Sequence, residues 1–240
     1  MDNSFWTQLL GEFIGTAVMI LLGNGVIAGV LLKKSKSFND GWMTIAVGWG
    51  LAVTFGVYAA NFMSLGVLNP AVSLGLVVSG ELDLAMFLPY AIAQLLGAMF
   101  GAFLVWLQFL PHWDETEDST EILTSFSTVP AIRNSFGNFI SEFVGTFALM
   151  FLFLAMTGHN EFGSFKAVMI GMLIFSIVVS LGGTTGYALN PARDLGPRIM
   201  HAILPMKNKG ASNWSYSWIP IVAPIAGAVS AALIYKVLPI

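Results

Sequence analysis

The sequence predicts an all-α membrane protein, with six transmembrane helices and two re-entrant half-helices arranged as two inverted repeats. Three observations carry that reading. Hydrophobic residues make up 56 % of the 240 residues and charged residues 10 %, with a mean hydropathy of +0.79, whereas a soluble domain carries roughly a quarter charged residues. The few charges leave long uncharged runs at 13–32, 41–80, 84–113, 143–160, 167–192 and 210–235. Two short motifs recur, in the same order, in each half of the chain.

A helix needs about 20 apolar residues to cross a bilayer. The runs are too long for barrel strands, so helices are the solution that satisfies the backbone in lipid. The first span is read at about 5–32. No basic stretch precedes it and Asp2 is acidic, so it is taken as retained rather than as a cleaved signal. The second run is long enough for a span at about 41–60 and a half-helix at about 70–79. A third span follows at about 84–110. The segment 111–135 is polar and holds Asp114, Glu115, Glu117, Asp118 and Glu121; it is read as a solvated loop. The second half supplies spans at about 136–157, 165–181 and 218–238, with a half-helix at about 191–203. The chain is thus one domain over 1–240, with repeat one at about 1–110, a connector at about 111–135 and repeat two at about 136–240.

The repeat is legible residue by residue. Glu12-Phe13-Ile14-Gly15-Thr16 recurs as Glu142-Phe143-Val144-Gly145-Thr146, and Leu68-Asn69-Pro70-Ala71 as Leu189-Asn190-Pro191-Ala192. Each half holds three spans, an odd number, so the halves cross the membrane in opposite senses. Inverted repeats with interrupted segments in matching positions place a pathway at the repeat interface. Asparagine is a good helix cap and proline suits the first helical position. Each Asn-Pro-Ala therefore reads as a helix start within the membrane, approached by non-helical chain that lines a cavity. Two such starts facing each other carry roughly +0.5 of an elementary charge apiece, which repels cations. Asn69 and Asn190 are expected to cap with their oxygens and donate from their NH₂ groups into the path. Leu65, Gly66 and Val67 in one approach, and Gly186, Tyr187 and Ala188 in the other, supply carbonyl acceptors.

With these motifs the chain resembles the major intrinsic protein (aquaporin) family over essentially its whole length. The resemblance implies the aquaporin-like fold, one pore per subunit, a homotetramer and a multi-pass place in the plasma membrane. Three features resemble the glycerol-facilitator (aquaglyceroporin) branch: Asp194 after Asn190-Pro191-Ala192-Arg193, the basic Arg198, and Pro220-Ile221 where water channels carry aromatics. Aligned through the motifs, the selectivity filter is Trp49, Val178, Tyr187 and Arg193. The family's glycerol channels have Gly and Phe where this chain has Val178 and Tyr187, so Val178 is expected to narrow the filter by size. Val67 stands where a histidine is usual, with its carbonyl expected to matter more than its side chain. Glu12, Glu142, Gln94 and Asp194 are expected to support the loops.

The resemblance implies a passive channel for glycerol and other small uncharged solutes, and for water, that excludes ions and protons. Neutral lactic acid or water as the main cargo is the alternative reading. A secondary active transporter is a further one, since inverted repeats also build those; beyond Glu12 and Glu142 the spans hold no cluster of acids to couple an ion. An enzyme finds no support, with no nucleophile–base pair, metal set or phosphate loop. The chain has no cysteine, which excludes disulfides and thiol chemistry. His112, His159 and His201 lie in or near expected loops without ligand spacing, so no metal or cofactor is expected. The basic residues form no stripe, so no nucleic-acid partner is expected. Cytoplasmic termini, as the resemblance implies, put Lys33, Lys34, Lys36, Arg133, Arg198, Lys207 and Lys209 outside, against the positive-inside bias.

Overall fold

The structure, a computed structural model, describes residues 4–157 and 163–238. Its helices are α1 (Phe5–Leu31), α2 (Trp42–Ala60), α3 (Pro70–Ser79), α4 (Leu84–Gln108), α5 (Leu110–Glu115), α6 (Ser119–Thr124), α7 (Ser135–Thr157), α8 (Lys166–Leu181), α9 (Pro191–Ile203) and α10 (Ile219–Val237). Five of them, α1, α2, α4, α7 and α10, are long and apolar enough to cross a membrane. The expected span at 165–181 is shorter. α8 has 16 residues, roughly 24 Å of helix, preceded by a 3₁₀ turn at Gly163–Phe165 and closed where the Gly182 amide bonds the Val178 carbonyl.

The packing repeats as the sequence does. α1 packs on α4, and α7 on α10. Each half-helix lies against the last helix of the other half, α3 on α10 and α9 on α4, while α2 and α8 meet across the repeat. Small residues permit these approaches. A methyl group on Gly97 of α4 would overlap the Phe13 carbonyl of α1, and one on Gly227 of α10 would overlap the Phe143 carbonyl of α7. Ala98, Ala228, Ala231 and Ala232 are fully buried beside them.

The connector is not the solvated loop that its acids suggest. It folds into α5 and α6, with Trp113, Ile122, Leu123 and Phe126 buried. Asp114, Glu115, Glu117 and Asp118 are exposed and Glu121 is half-buried, while apolar residues set between them pack inward. The Thr116 hydroxyl accepts from the Lys33 amide at 3.0 Å, and its carbonyl accepts from Asn208 Nδ2 at 3.0 Å. The Phe126 carbonyl accepts from Asn24 Nδ2 at 2.8 Å.

This face also holds most of the chain's cations, and most of them have partners. Lys34 pairs with Glu115 at 2.6 Å and Lys33 with Glu121 at 3.8 Å. Arg133 donates to Asn213 Oδ1 and Ser215 Oγ, and Lys209 to the carbonyls of Ala202 and Leu204 at the end of α9. Two of the histidines expected in or near loops lie at such places, though within helices. His112 lies in α5. His201 is fully buried in α9, with Nδ1 2.8 Å from Ser212 Oγ. His159 lies outside the described residues.

Candidate functional site

The two recurring motifs are recurring because they touch. In the first half, Glu12 Oε1 accepts from the Val67 amide at 3.1 Å and Oε2 from the Leu68 amide at 2.8 Å. In the second, Glu142 Oε1 accepts from the Ala188 amide and Oε2 from the Leu189 amide, both at 2.9 Å. The motif glycines make room for the same leucines: a methyl on Gly15 would lie 2.6 Å from Leu68 Cδ2, and one on Gly145 2.8 Å from Leu189 Cδ2. Each buried carboxylate thus satisfies amides of an approach chain that has no helix or strand to satisfy them. Gln94 extends the first support, donating from Nε2 to Glu12 Oε2 at 2.8 Å and to Ser73 Oγ at 3.1 Å.

The approach chains bend sharply. Gly66, Leu68, Gly186, Tyr187 and Leu189 all have left-handed backbone, rarely adopted by residues with a side chain. The carboxylate clamps hold it. At Asn69 and Asn190 the chain becomes extended, with φ of −153° and −149°, and the helices begin. Asn69 Oδ1 accepts from the amides of Ala71 and Val72 at 2.9 and 3.4 Å; Asn190 Oδ1 accepts from those of Ala192 and Arg193 at 3.0 and 3.2 Å. Pro70 and Pro191 occupy the first turns, buried with Ala71 and Ala192.

The asparagine amides differ from expectation. Asn69 Nδ2 donates to the Leu189 carbonyl at 2.9 Å, and Asn190 Nδ2 to the Leu68 carbonyl at 2.7 Å. One N–H of each amide is therefore taken by the opposite half, and the second is left for the cavity. The reason is the close meeting of the two helix starts, which leaves both leucine carbonyls needing a donor.

An inner cavity of about 60 Å³ runs along this junction. Asn69, Asn190, Gly66, Val67, Ala188 and Tyr187 line it, opposite an apolar wall that includes Met19, Val53, Val57, Leu149, Phe153 and Ile174. An outer cavity of about 150 Å³ is lined by Trp42, Ile45, Ser127, Thr128, Gly182, Gly186 and others. Tyr187 and Arg193 line both, so the cavities meet at those two side chains. Leu65 is exposed and lies outside the lining of both.

At the junction Trp49, Tyr187 and Arg193 come together. The Arg193 guanidinium lies 4.4 Å from the Trp49 ring and 5.8 Å from the Tyr187 ring, and the two rings meet edge to face at 6.0 Å. All three residues are buried. Trp49 Nε1, the Tyr187 hydroxyl, and Arg193 Nε and Nη1 have no hydrogen-bond partner among the described residues. Buried donors left in that state are costly.

Val178 sits apart from this group. It is fully buried and its side chain lines neither cavity. Its carbonyl accepts from Trp42 Nε1 at 3.3 Å. Trp42, two helical turns before Trp49 on the same face of α2, is the aromatic residue that sequence reasoning missed; the spacing of seven was the available signal.

Asp194 anchors the connector. Its Oδ2 accepts from the Thr128 amide at 2.8 Å and the Thr128 hydroxyl at 2.5 Å, and its Oδ1 from Arg198 Nε at 2.8 Å. Arg198 also donates to the carbonyls of Ser212 and Thr128. Asp194 therefore pairs with Arg198 one turn on, leaving Arg193 free to face the cavities. No group of three or more potential metal ligands occurs among the described residues.

Comparison with known proteins points the same way. A model of the family described as major intrinsic protein matches residues 1–235. The chain is 55 % identical over 239 residues to glycerol uptake facilitator protein 3 of Lactiplantibacillus plantarum, covering 100 % of each chain. It is 52 % identical over 229 residues to the glycerol uptake facilitator protein of Streptococcus pneumoniae serotype 4, covering 95 % of this chain and 98 % of that one. Among solved structures, the aquaglyceroporin from Plasmodium falciparum superposes with a TM-score of 0.86 at 33 % identity, covering 98 % of this chain and 97 % of that one. Paired half-helices, clamped approach chains and a match along nearly the whole length lead to one conclusion: the chain belongs to the major intrinsic protein family, in its aquaglyceroporin branch, and is a multi-pass membrane channel rather than an enzyme.

Proposed function

We propose that the chain is a passive channel for glycerol and other small uncharged solutes, that it also passes water, and that it excludes ions and protons. The observation that carries this reading is the junction of the two cavities. Trp49 and Tyr187 make an apolar corner, while Arg193 faces them with unpartnered Nε and Nη1. A polyol has one edge of carbon and one of hydroxyls. The rings take the carbon edge, and the guanidinium, a fixed array of donors, takes the hydroxyl oxygens. A cation loses its hydration against the rings and meets only the like charge of Arg193 there.

Exclusion of cations is assigned to the meeting of α3 and α9. Their N-termini face each other, and the positive ends of both helix dipoles converge. The remaining N–H of Asn69 and of Asn190 orients an acceptor oxygen at that point, and the carbonyls of Gly66, Val67, Tyr187 and Ala188 supply the acceptors along the path. Glu12 and Glu142 are read as supports rather than proton carriers, because each accepts two approach-chain amides. That same saturation argues against an ion-coupled transporter.

The family resemblance supports a homotetramer in the plasma membrane with cytoplasmic termini, which protease accessibility of the acidic connector on intact cells tests. Stopped-flow light scattering on proteoliposomes, with water, glycerol and lactic acid at low pH, tests the cargo. Rapid re-swelling in glycerol is the expected result. Shrinkage without re-swelling overturns the polyol reading in favour of water alone, and re-swelling in lactic acid only overturns it in favour of a neutral-acid cargo.

A further inference from the structure

We infer that Trp42 is a further specificity-determining residue: its indole, tied to the end of α8 and packed edge-on against Tyr187, sets the width of the outer mouth at the Tyr187–Arg193 junction and so the largest solute that enters. The inference rests on the polyol-channel reading above.

The Tyr187 ring is held by packing, with the Arg193 guanidinium 5.8 Å from it and two indoles against it. Its hydroxyl has no partner among the described residues, so no hydrogen bond orients the phenol, and its position depends on what packs against the ring. Two indoles do so. Trp49 meets it at 6.0 Å and 78° on the inner cavity, and Trp42 meets it at 5.5 Å and 76° on the outer cavity. Edge-to-face contacts of this kind have a preferred geometry and resist sliding.

Trp42 is itself anchored. Its Nε1 donates to the Val178 carbonyl at 3.3 Å, the same carbonyl that closes α8 by accepting from the Gly182 amide at 3.2 Å. Gly182 completes the fit. A methyl there would lie 2.5 Å from the Val178 carbonyl oxygen, 2.7 Å from Tyr187 Cδ1 and 3.0 Å from Trp42 Cζ2. The backbone at Gly182 is ordinary, with φ of −79°, so the glycine serves the close contact and not the turn. α8 thus reaches the junction through a carbonyl and an absent side chain, with Trp42 as the lever.

The experiment is stopped-flow light scattering on proteoliposomes with water, glycerol and the four-carbon polyol erythritol, comparing wild type, Trp42→Ala, Trp42→Phe and Gly182→Ala. Loss of one edge-to-face contact corresponds to about a 2- to 10-fold change in an equilibrium, so Trp42→Ala is expected to raise the erythritol-to-glycerol permeability ratio by about that factor. Trp42→Phe keeps a ring and loses the bond to Val178, and gives a smaller rise. Gly182→Ala crowds Tyr187 and lowers the ratio. A ratio unmoved in the variants, or permeabilities that all fall together, overturns the inference while leaving the channel reading intact. Should Trp42→Ala not fold, the opposite shifts of the other two variants decide. A wild type that carries no polyol removes the channel reading and this inference with it.

Discussion

The two half-helices begin alike and then diverge. α3 and α9 share their caps, their proline and their extended asparagine. From the third helical residue onward, Val72, Ser73 and Val77 of α3 stand where α9 has Arg193, Asp194 and Arg198. The approach chains differ as well. Gly66, at φ +64°, occupies the position that Tyr187, at φ +48°, occupies in the second half. A left-handed residue with a side chain costs roughly 1–2 kcal/mol. Both halves accept that cost at the leucine before the asparagine, and the second accepts it once more at Tyr187, whose side chain lines the cavities. The symmetric part of the fold positions two helix starts, and the asymmetric part places Tyr187 and Arg193 on both cavities.

Replacing Asp194 tests the asymmetry most severely. Asp194→Ala leaves Arg198 buried without its carboxylate, and removing one partner of a buried pair costs about 3–5 kcal/mol. The matching change, Ser73→Ala, removes the bonds to Gln94 and to the Asn69 carbonyl, each worth about 0.5–1.5 kcal/mol. Thermal unfolding in detergent should separate the two variants clearly; equal losses would mean that the ion pair carries no special weight.

Giving α9 the side chain of α3 comes next. Arg193→Val removes the guanidinium from the junction, and hydrogen bonds to a charged group are worth about 1.5–3 kcal/mol. Discrimination between glycerol and apolar solutes of similar size should weaken by about 10- to 100-fold, with a proton leak readable from an enclosed pH dye. An unchanged solute profile would take Arg193 out of the filter.

The scaffold itself should respond evenly. Gly97→Ala and Gly227→Ala each push a methyl onto the carbonyl of a motif phenylalanine, and overpacking costs about 1–3 kcal/mol. The two variants should lose similar melting temperature, and a large difference would break the symmetry of the helix crossings. Tyr187→Phe is the mildest change. The lost hydroxyl has no partner, so stability should hold within about 1 kcal/mol and glycerol flux should shift by less than about threefold. A larger loss of flux would show that the hydroxyl itself binds the cargo.

What could be read from the sequence follows the range of the forces involved. The half-helix bounds at 70–79 and 191–203 were legible because an asparagine cap followed by proline is local chemistry. Glu12 and Glu142 were legible as supports because the motif that holds them recurs. The connector was misread because its five acids dominate the composition, while the burial of Trp113 and Phe126 depends on the bundle beneath them. Val178 could be aligned, but the bond from Trp42 to its carbonyl could not be foreseen, since it joins helices of opposite halves. The Asp194–Arg198 pair was one helical turn apart and visible in principle. The crossed asparagine amides were not, since they need both halves present at once.

That crossing has a consequence for biogenesis. The Leu68 carbonyl waits for an amide that lies 122 residues further along the chain, and the Asn69 amide for a carbonyl 120 residues further. Translation proceeds at about 5–20 residues per second, so the first half emerges roughly 6–24 s before its central polar groups can be satisfied. During that interval the nascent half must keep those groups against water or a translocation partner, and it enters lipid as a finished element only when the second half arrives to close it.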